Sequence, residues 1–175
     1  FLNISKQLID LNQWVLWKLQ LKDGVPKKDK YEREDYTKIP YQINGKKASS
    51  INPNTWTSYI NVIEAYENSG DYDGVAFVLS ENDNFIGIDL DECVSDGTID
   101  PKAYTIVKSL NSYTEYSQSG KGIHIIVKGK KPGRRCKNSE EGVEIYEKNR
   151  FLIMTGEHVE GTPTSIQKRQ KEIIK

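Results

Sequence analysis

Two aspartates spaced two apart in an otherwise apolar strand can grip a hard cation, and Ile86-Gly87-Ile88-Asp89-Leu90-Asp91 has that form. Strand side chains alternate between faces, so Asp89 and Asp91 share one side while Ile88 and Leu90 enter the core. Carboxylate oxygens are the donors that Mg²⁺ and Mn²⁺ prefer. In Val143-Glu144-Ile145-Tyr146 the same alternation turns Val143 and Ile145 inward and Glu144 to the other face, which supplies a third carboxylate. Between them lies Ser119-Gly120-Lys121-Gly122-Ile123-His124-Ile125-Ile126-Val127, in which His124 points away from the apolar side holding Ile123, Ile125 and Val127. Each signal is ordinary alone: acidic pairs end many strands, a single histidine is often structural, and a strand glutamate often faces water. Together, if the strands are neighbours, Asp89, Asp91, His124 and Glu144 make one shared face, with the three carboxylates as candidate metal ligands.

The elements that must position these groups are readable from pattern. Asn3 to Leu11 reads as a short helix and Trp14 to Leu19 as a strand rich in β-formers. Lys22 to Asp35 is a charged loop, and Lys38 to Ile43 an extended segment closed by the turn signal Asn44-Gly45. In Pro53 to Asn68, Trp56, Tyr59, Ile60 and Ile63 fall at helical spacing, with Asn54 or Thr55 as cap. Gly74 to Leu79 and Phe85 to Leu90, joined by the polar turn Glu81-Asn82-Asp83-Asn84, read as a β-hairpin. A helix capped by Asp100, with Pro101 in its first turn, buries Ala103, Ile106, Val107 and Leu110. Strands follow at Tyr113 to Ser117, Gly122 to Val127, Val143 to Tyr146 and Arg150 to Thr155. The class expected is α+β, with a mostly antiparallel sheet backed by helices on one face.

At 175 residues the chain fits one domain with one active site. A division is expected into an N-terminal α/β part (1–72), a core holding the polar strands (73–160) and the start of a linker (161–175). Charged residues are 29% and apolar ones 36%, with three Trp and ten Tyr, a composition that folds. Lys plus Arg equals Asp plus Glu at 25 each, so any basic footprint for nucleic acid must be local. Cys93 and Cys136 lack the spacing of a zinc site or a disulfide framework, and no signal peptide or long apolar run is present, which reads as a cytoplasmic protein with reduced thiols. The chain opens at Phe1 and ends in the basic run Gln167 to Lys175, like a piece of something longer.

The run Gly87 to Asp91, then Ser112-Tyr113-Thr114-Glu115-Tyr116-Ser117-Gln118-Ser119-Gly120-Lys121-Gly122-Ile123-His124, then Val143-Glu144-Ile145-Tyr146 resembles the three motifs of the archaeo-eukaryotic primase superfamily. Within it, the phage and plasmid type of bifunctional primase-polymerase catalytic domain is most similar. The similarity takes in Trp14 to Trp17, Thr37 to Tyr41, Asn52 to Trp56 and Asn149 to Gly156, nearly the whole chain. Some families of this group carry Asp where this chain has Glu144, and a carboxylate is kept. The resemblance implies a palm-like sheet of the RNA-recognition-motif type. It implies template-directed addition of dNTP or NTP with two divalent ions, Mg²⁺ or Mn²⁺, on Asp89, Asp91 and Glu144. It also implies His124 on the incoming triphosphate, and a role in primer synthesis or extension on single-stranded or primed DNA during replication of a phage, plasmid or mobile element. A helical accessory region, and often a helicase, commonly follows such domains. On that reading the basic, helix-prone end Ser165 to Lys175 leads into such a region, and the domain alone extends an annealed primer better than it begins a strand.

Ser119, Lys121 and Gly122, in a Gly-rich turn whose amides suit phosphate oxygens, join His124 as candidate triphosphate contacts, although the same residues also make an ordinary hairpin turn. Lys38 and Arg150 are further candidates, alternatively rim salt-bridge residues. Lys128, Lys130, Lys131, Arg134, Arg135 and Lys137 fall in a stretch with no acid between two site strands, well placed for template phosphates and equally readable as a solvated loop. Two rival readings remain. A non-catalytic single-strand-binding module of the same fold needs exposed aromatics where this face carries carboxylates. A rolling-circle nuclease wants paired histidines and a tyrosine nucleophile, and the only other histidine is His158.

Overall fold

The computed structural model describes residues 3–21, 36–133, 137–138 and 142–174, with 137–138 described by backbone. The charged segment 22–35, Arg134, Arg135, Cys136 and the Lys137 side chain lie outside the described residues. In chain order the elements are α1 (Lys6–Ile9), β1 (Trp14–Leu21), β2 (Tyr36–Tyr41), α2 (Tyr59–Ser69), β3 (Gly74–Leu79), β4 (Phe85–Leu90), β5 (Val94–Ser95), β6 (Thr98–Ile99), α3 (Pro101–Leu110), β7 (Tyr113–Tyr116), β8 (Ile123–Lys128), β9 (Lys137–Asn138), β10 (Val143–Tyr146) and β11 (Arg150–Met154).

They form a four-stranded sheet in the order β11-β3-β1-β2, a five-stranded sheet in the order β7-β8-β4-β10-β9, and the small β5-β6 ribbon. Every pairing of these strands is antiparallel. The α+β class read from the sequence therefore holds. β3 and β11, from beyond residue 72, hydrogen-bond into the same sheet as β1 and β2. Among the described residues no helix is long and apolar enough to cross a membrane.

The two large sheets share one core. Trp14, Leu16, Val75, Phe77, Leu79, Leu152 and Met154 of the four-stranded sheet cluster with Phe85, Tyr113 and Ile126 of the five-stranded one. Trp14 is fully buried, stands edge-on to Tyr59 (5.0 Å) and Phe77 (5.3 Å), and donates its indole N–H to the Leu8 carbonyl. Burial of such a ring contributes about 2–3 kcal/mol, and a satisfied indole N–H adds no desolvation penalty. On its outer face the five-stranded sheet packs Ile86, Ile88, Leu90, Ile123, Ile125 and Val127 against Ala103, Val107 and Leu110 of α3. α3 begins where its signals put it: the Asp100 carboxylate accepts from Ala103 N at 2.9 Å.

Three local readings are corrected. β3 and β4 are not a hairpin; they lie in different sheets. β3 is buried along all six residues, so it lacks the polar face that would fix its pairing. The turn between them is tied by Asp83, whose carboxylate accepts from Ser80 N (2.9 Å), Phe85 N (2.9 Å) and Gln13 Nε2 (2.7 Å). The second helix starts later than its apolar spacing suggests: Ser58 is its cap, accepting from Asn61 N, and Pro53–Thr55 is a separate 3-10 turn capped by Asn52. Trp56 packs with Val15, Trp17 and Ile153 on the face of the four-stranded sheet opposite Trp14 and Leu16, Ile60 is 66% exposed, and Val62 is the residue that α2 buries. The basic end forms turns rather than helix. Ile166 is buried, and Gln167 O and Arg169 N hydrogen-bond to the Lys128 backbone.

Candidate active site

Strand register builds the site. Glu144 of β10 pairs with Asp89 of β4, Asp89 with His124 of β8, and His124 with Glu115 of β7. These four residues form a transverse row on the inner face of the five-stranded sheet. The neighbouring row, Tyr146, Gly87, Ile126 and Tyr113, runs under the four-stranded sheet. The polar row thus sits beside the dry inter-sheet core, with Glu115 at 0%, His124 at 6% and Glu144 at 8% exposure.

A cleft of about 410 Å³ opens over Asp89 and His124 in the middle of this row, lined by Lys38, Asp89, His124, Tyr146 and Arg150 among polar residues and by Trp17, Leu19, Pro40 and Leu152 among apolar ones. His124 Nε2 stands 3.7 Å from Asp89 Oδ1, and its Nδ1 lies 3.4 Å from Glu115 Oε1. Burial raises the Asp89 carboxyl above the usual carboxylate range; His124 and Lys38 oppose that shift, while Asp91 and Glu144 add to it. Burial likewise pulls the Lys38 ammonium below the usual lysine range, against the attraction of Asp89 and Asp91. Lys38 Nζ sits 5.6 Å from the Trp17 ring centre. Asp91 is exposed just past the end of β4, its N–H bonded to Gly142 O at 2.9 Å.

Tyr146 donates its hydroxyl to Glu144 Oε2, and Arg150 stacks its guanidinium 4.3 Å from the Tyr146 ring and donates to the same hydroxyl at 3.2 Å. Burial first, and the bond to Glu144 second, hold the Tyr146 phenol well above its ordinary range. Neither this tyrosine nor Glu115 was singled out as a site residue from the sequence. The signal for Tyr146 was available, because it shares a strand face with Glu144; Glu115 meets His124 only through the β7–β8 register, which the sequence does not display.

The turn Ser119–Gly122 satisfies its own amides. Gly120 N donates to Ser117 O (2.9 Å), Lys121 N to Ser119 Oγ (3.3 Å) and Gly122 N to Ser117 Oγ (3.0 Å), so these three amides are used inside the turn. None of Ser119, Lys121 and Gly122 lines the cleft. Gly122 has a packing reason to be glycine: an added Cβ would lie 2.8 Å from Leu90 O. Of the basic stretch, Lys128 stands over Phe85 (5.5 Å) and Lys130 exchanges backbone bonds with the Gln170 side chain. Lys131 donates its N–H to Glu147 and its ammonium to Gly133 O. His158 is occupied by Thr162 Oγ1 and Pro163 O, both at 3.1 Å, and does not line the cleft.

Among the described residues no three His, Cys, Asp or Glu side chains already converge into a cage for a metal. The donor chemistry nevertheless fits a hard divalent ion. Asp89 and Glu144 are register partners, Asp91 follows two residues on, and mutual repulsion of these carboxylates is a term that a cation reverses.

No family model matches the chain. A DNA primase-polymerase of Nitratiruptor phage NrS-1 is 36% identical to it over 165 residues, covering 89% of this chain and 21% of the phage protein. The chain therefore spans about a fifth of the length of that relative, and over that stretch the two are similar.

Proposed function

We propose that this chain is the nucleotidyl-transfer domain of a DNA primase-polymerase, adding nucleotides to a primer under the direction of a DNA template. The observation that carries the reading is the cross-strand row Glu144, Asp89 and His124 beside a cleft whose far wall presents Lys38. A single-strand-binding module would present aromatic rings on that face; here it presents carboxylates, which repel phosphate unless a cation intervenes. The similarity to the phage primase-polymerase supports the same reaction class.

In this mechanism Asp89, Asp91 and Glu144 would hold divalent ions, Mg²⁺ or Mn²⁺. Bound there, such ions supply charge stabilisation for the attacking 3′-oxygen and the departing pyrophosphate. His124, whose Nε2 faces the cleft side of Asp89, contacts the triphosphate, with Lys38 and Arg150 as the cationic groups on the opposite wall. The Tyr146 hydroxyl holds Glu144 and is itself held by Arg150, so one wall of the cleft is coupled to a metal-binding carboxylate. The apolar walls from Trp17, Pro40 and Leu152 limit water around the reacting groups. The template follows the basic stretch from Lys128 to Lys137. Ser119 and Lys121 reach phosphate through their exposed side chains, since the amides of Gly120, Lys121 and Gly122 are engaged, and Gly122 contributes by shaping the turn.

The test is extension of an annealed primer by this chain, with each nucleotide type and with Mg²⁺ or Mn²⁺. Template-directed incorporation that disappears in Glu144→Gln is expected. Incorporation undiminished in that variant with either metal would remove the metal assignment, and none by the native chain would remove the function.

A further inference from the structure

Glu115 is fully buried, and both of its oxygens are filled by donors. Oε2 accepts from the Tyr113 hydroxyl at 2.7 Å and from Gly156 N at 3.0 Å; Oε1 accepts from Thr155 N at 3.0 Å. Two of these donors are backbone amides of the segment that follows β11, so the carboxylate cannot rotate without leaving buried N–H groups unpaired. The remaining direction of Oε1 meets His124 Nδ1 at 3.4 Å, across the β7–β8 pairing that places Glu115 opposite His124.

From this we infer that Glu115 is a positioning residue for His124. A carboxylate oxygen already accepting a backbone N–H can only accept from the ring, so Nδ1 carries the proton and Nε2 is presented to Asp89 and the cleft. Because the anchoring amides belong to Thr155 and Gly156, the orientation of His124 is tied to the end of β11, whose first residue, Arg150, lines the same cleft. A carboxylate that only stapled the turn after β11 would need the two amides; it would not need the imidazole. The effect on nucleotide binding rests on the reading given above, whereas the ring orientation stands apart from it.

The experiment begins with the native chain and no ligand. A long-range proton–nitrogen correlation spectrum of the His124 side chain, recorded with the ring neutral, should place the proton on Nδ1. A proton on Nε2 instead overturns the inference without recourse to any variant. Next, binding of a non-hydrolysable deoxynucleoside triphosphate in the presence of Mg²⁺ is compared in native, Glu115→Gln, His124→Ala and the double variant. Glu115→Gln should scramble the His124 tautomer and weaken the analogue about tenfold, while adding less than about twofold in the His124→Ala background. A Glu115→Gln penalty that persists undiminished without His124 overturns the positioning role in favour of a purely structural one. If Glu115→Gln does not fold, Tyr113→Phe removes one anchor with little change of volume and is read the same way. A native chain with the proton on Nδ1 that binds no triphosphate supports the positioning and removes the nucleotidyl-transfer reading.

Discussion

The four-stranded and five-stranded sheets are both antiparallel and share one core, yet they use their buried positions differently. In the four-stranded sheet β3 is apolar along its whole length, and Trp14, Leu16 and Phe77 point into the shared core while Val15, Trp17, Ala76 and Val78 fill the other face. In the five-stranded sheet one transverse row breaks the pattern on four adjacent strands, with Glu115, His124, Asp89 and Glu144 where apolar side chains would pack. The difference teaches that one sheet is an apolar scaffold while the other carries, side by side, polar groups whose burial costs stability. Substitutions should then separate stability from activity according to the sheet they fall in.

The largest effect expected is on activity: Asp89→Asn should lower primer extension by at least about 10⁴-fold, as loss of one member of a cooperating set does. Its melting temperature in the absence of metal should hold or rise, because burial, Asp91 and Glu144 already disfavour the Asp89 charge. Extension assays paired with thermal melting check both halves, and a lower melting temperature would contradict the contrast between the sheets. Phe77→Ala is the counterpart in the scaffold. The ring is fully buried between Trp14 (5.3 Å) and Phe85 (6.1 Å), and its loss should cost about 3–5 kcal/mol in denaturant unfolding.

A smaller change is expected at the crossing between the sheets. Asp83→Ala removes the acceptor of Ser80 N, Phe85 N and Gln13 Nε2, and should destabilise by about 2 kcal/mol with turnover per folded molecule retained. The smallest is at the surface. Lys130→Glu should leave stability unchanged and make the salt dependence of DNA binding shallower by about one unit of slope, read by fluorescence anisotropy.

How much of this was legible depends on whether a residue had an alternating context. β4, β8 and β10 mix polar and apolar positions, so their facing was readable, and the register then aligned Glu144, Asp89 and His124. β3 has no polar position, and its sequence could not distinguish pairing with β4 from facing it across a core. Trp56 and Ile60 fit a helical stripe by spacing, but spacing does not reveal that the chain first makes a 3-10 turn and a bridge from Thr57 to Trp14. The turn at Ser119 looked like a phosphate cradle because its glycines were visible, whereas the Ser117 hydroxyl that consumes an amide was not. Glu115 was overlooked because its partners Thr155 and Gly156 lie 40 and 41 residues away, and no local pattern announces a contact of that span.

Gly87, in the strand of the aspartates, lies in the row next to Asp89 and faces Leu152 and Leu79 of the opposite sheet, whose methyl carbons would stand 3.2 and 3.3 Å from an added Cβ. The two sheets touch there, and the mouth of the cleft lies over the adjacent row. A side chain at this point acts as a shim. Because the leucine ends can yield, the fold would survive Gly87→Ala while the gape changed, altering the spacing between Lys38 on one lip and Asp89 on the other.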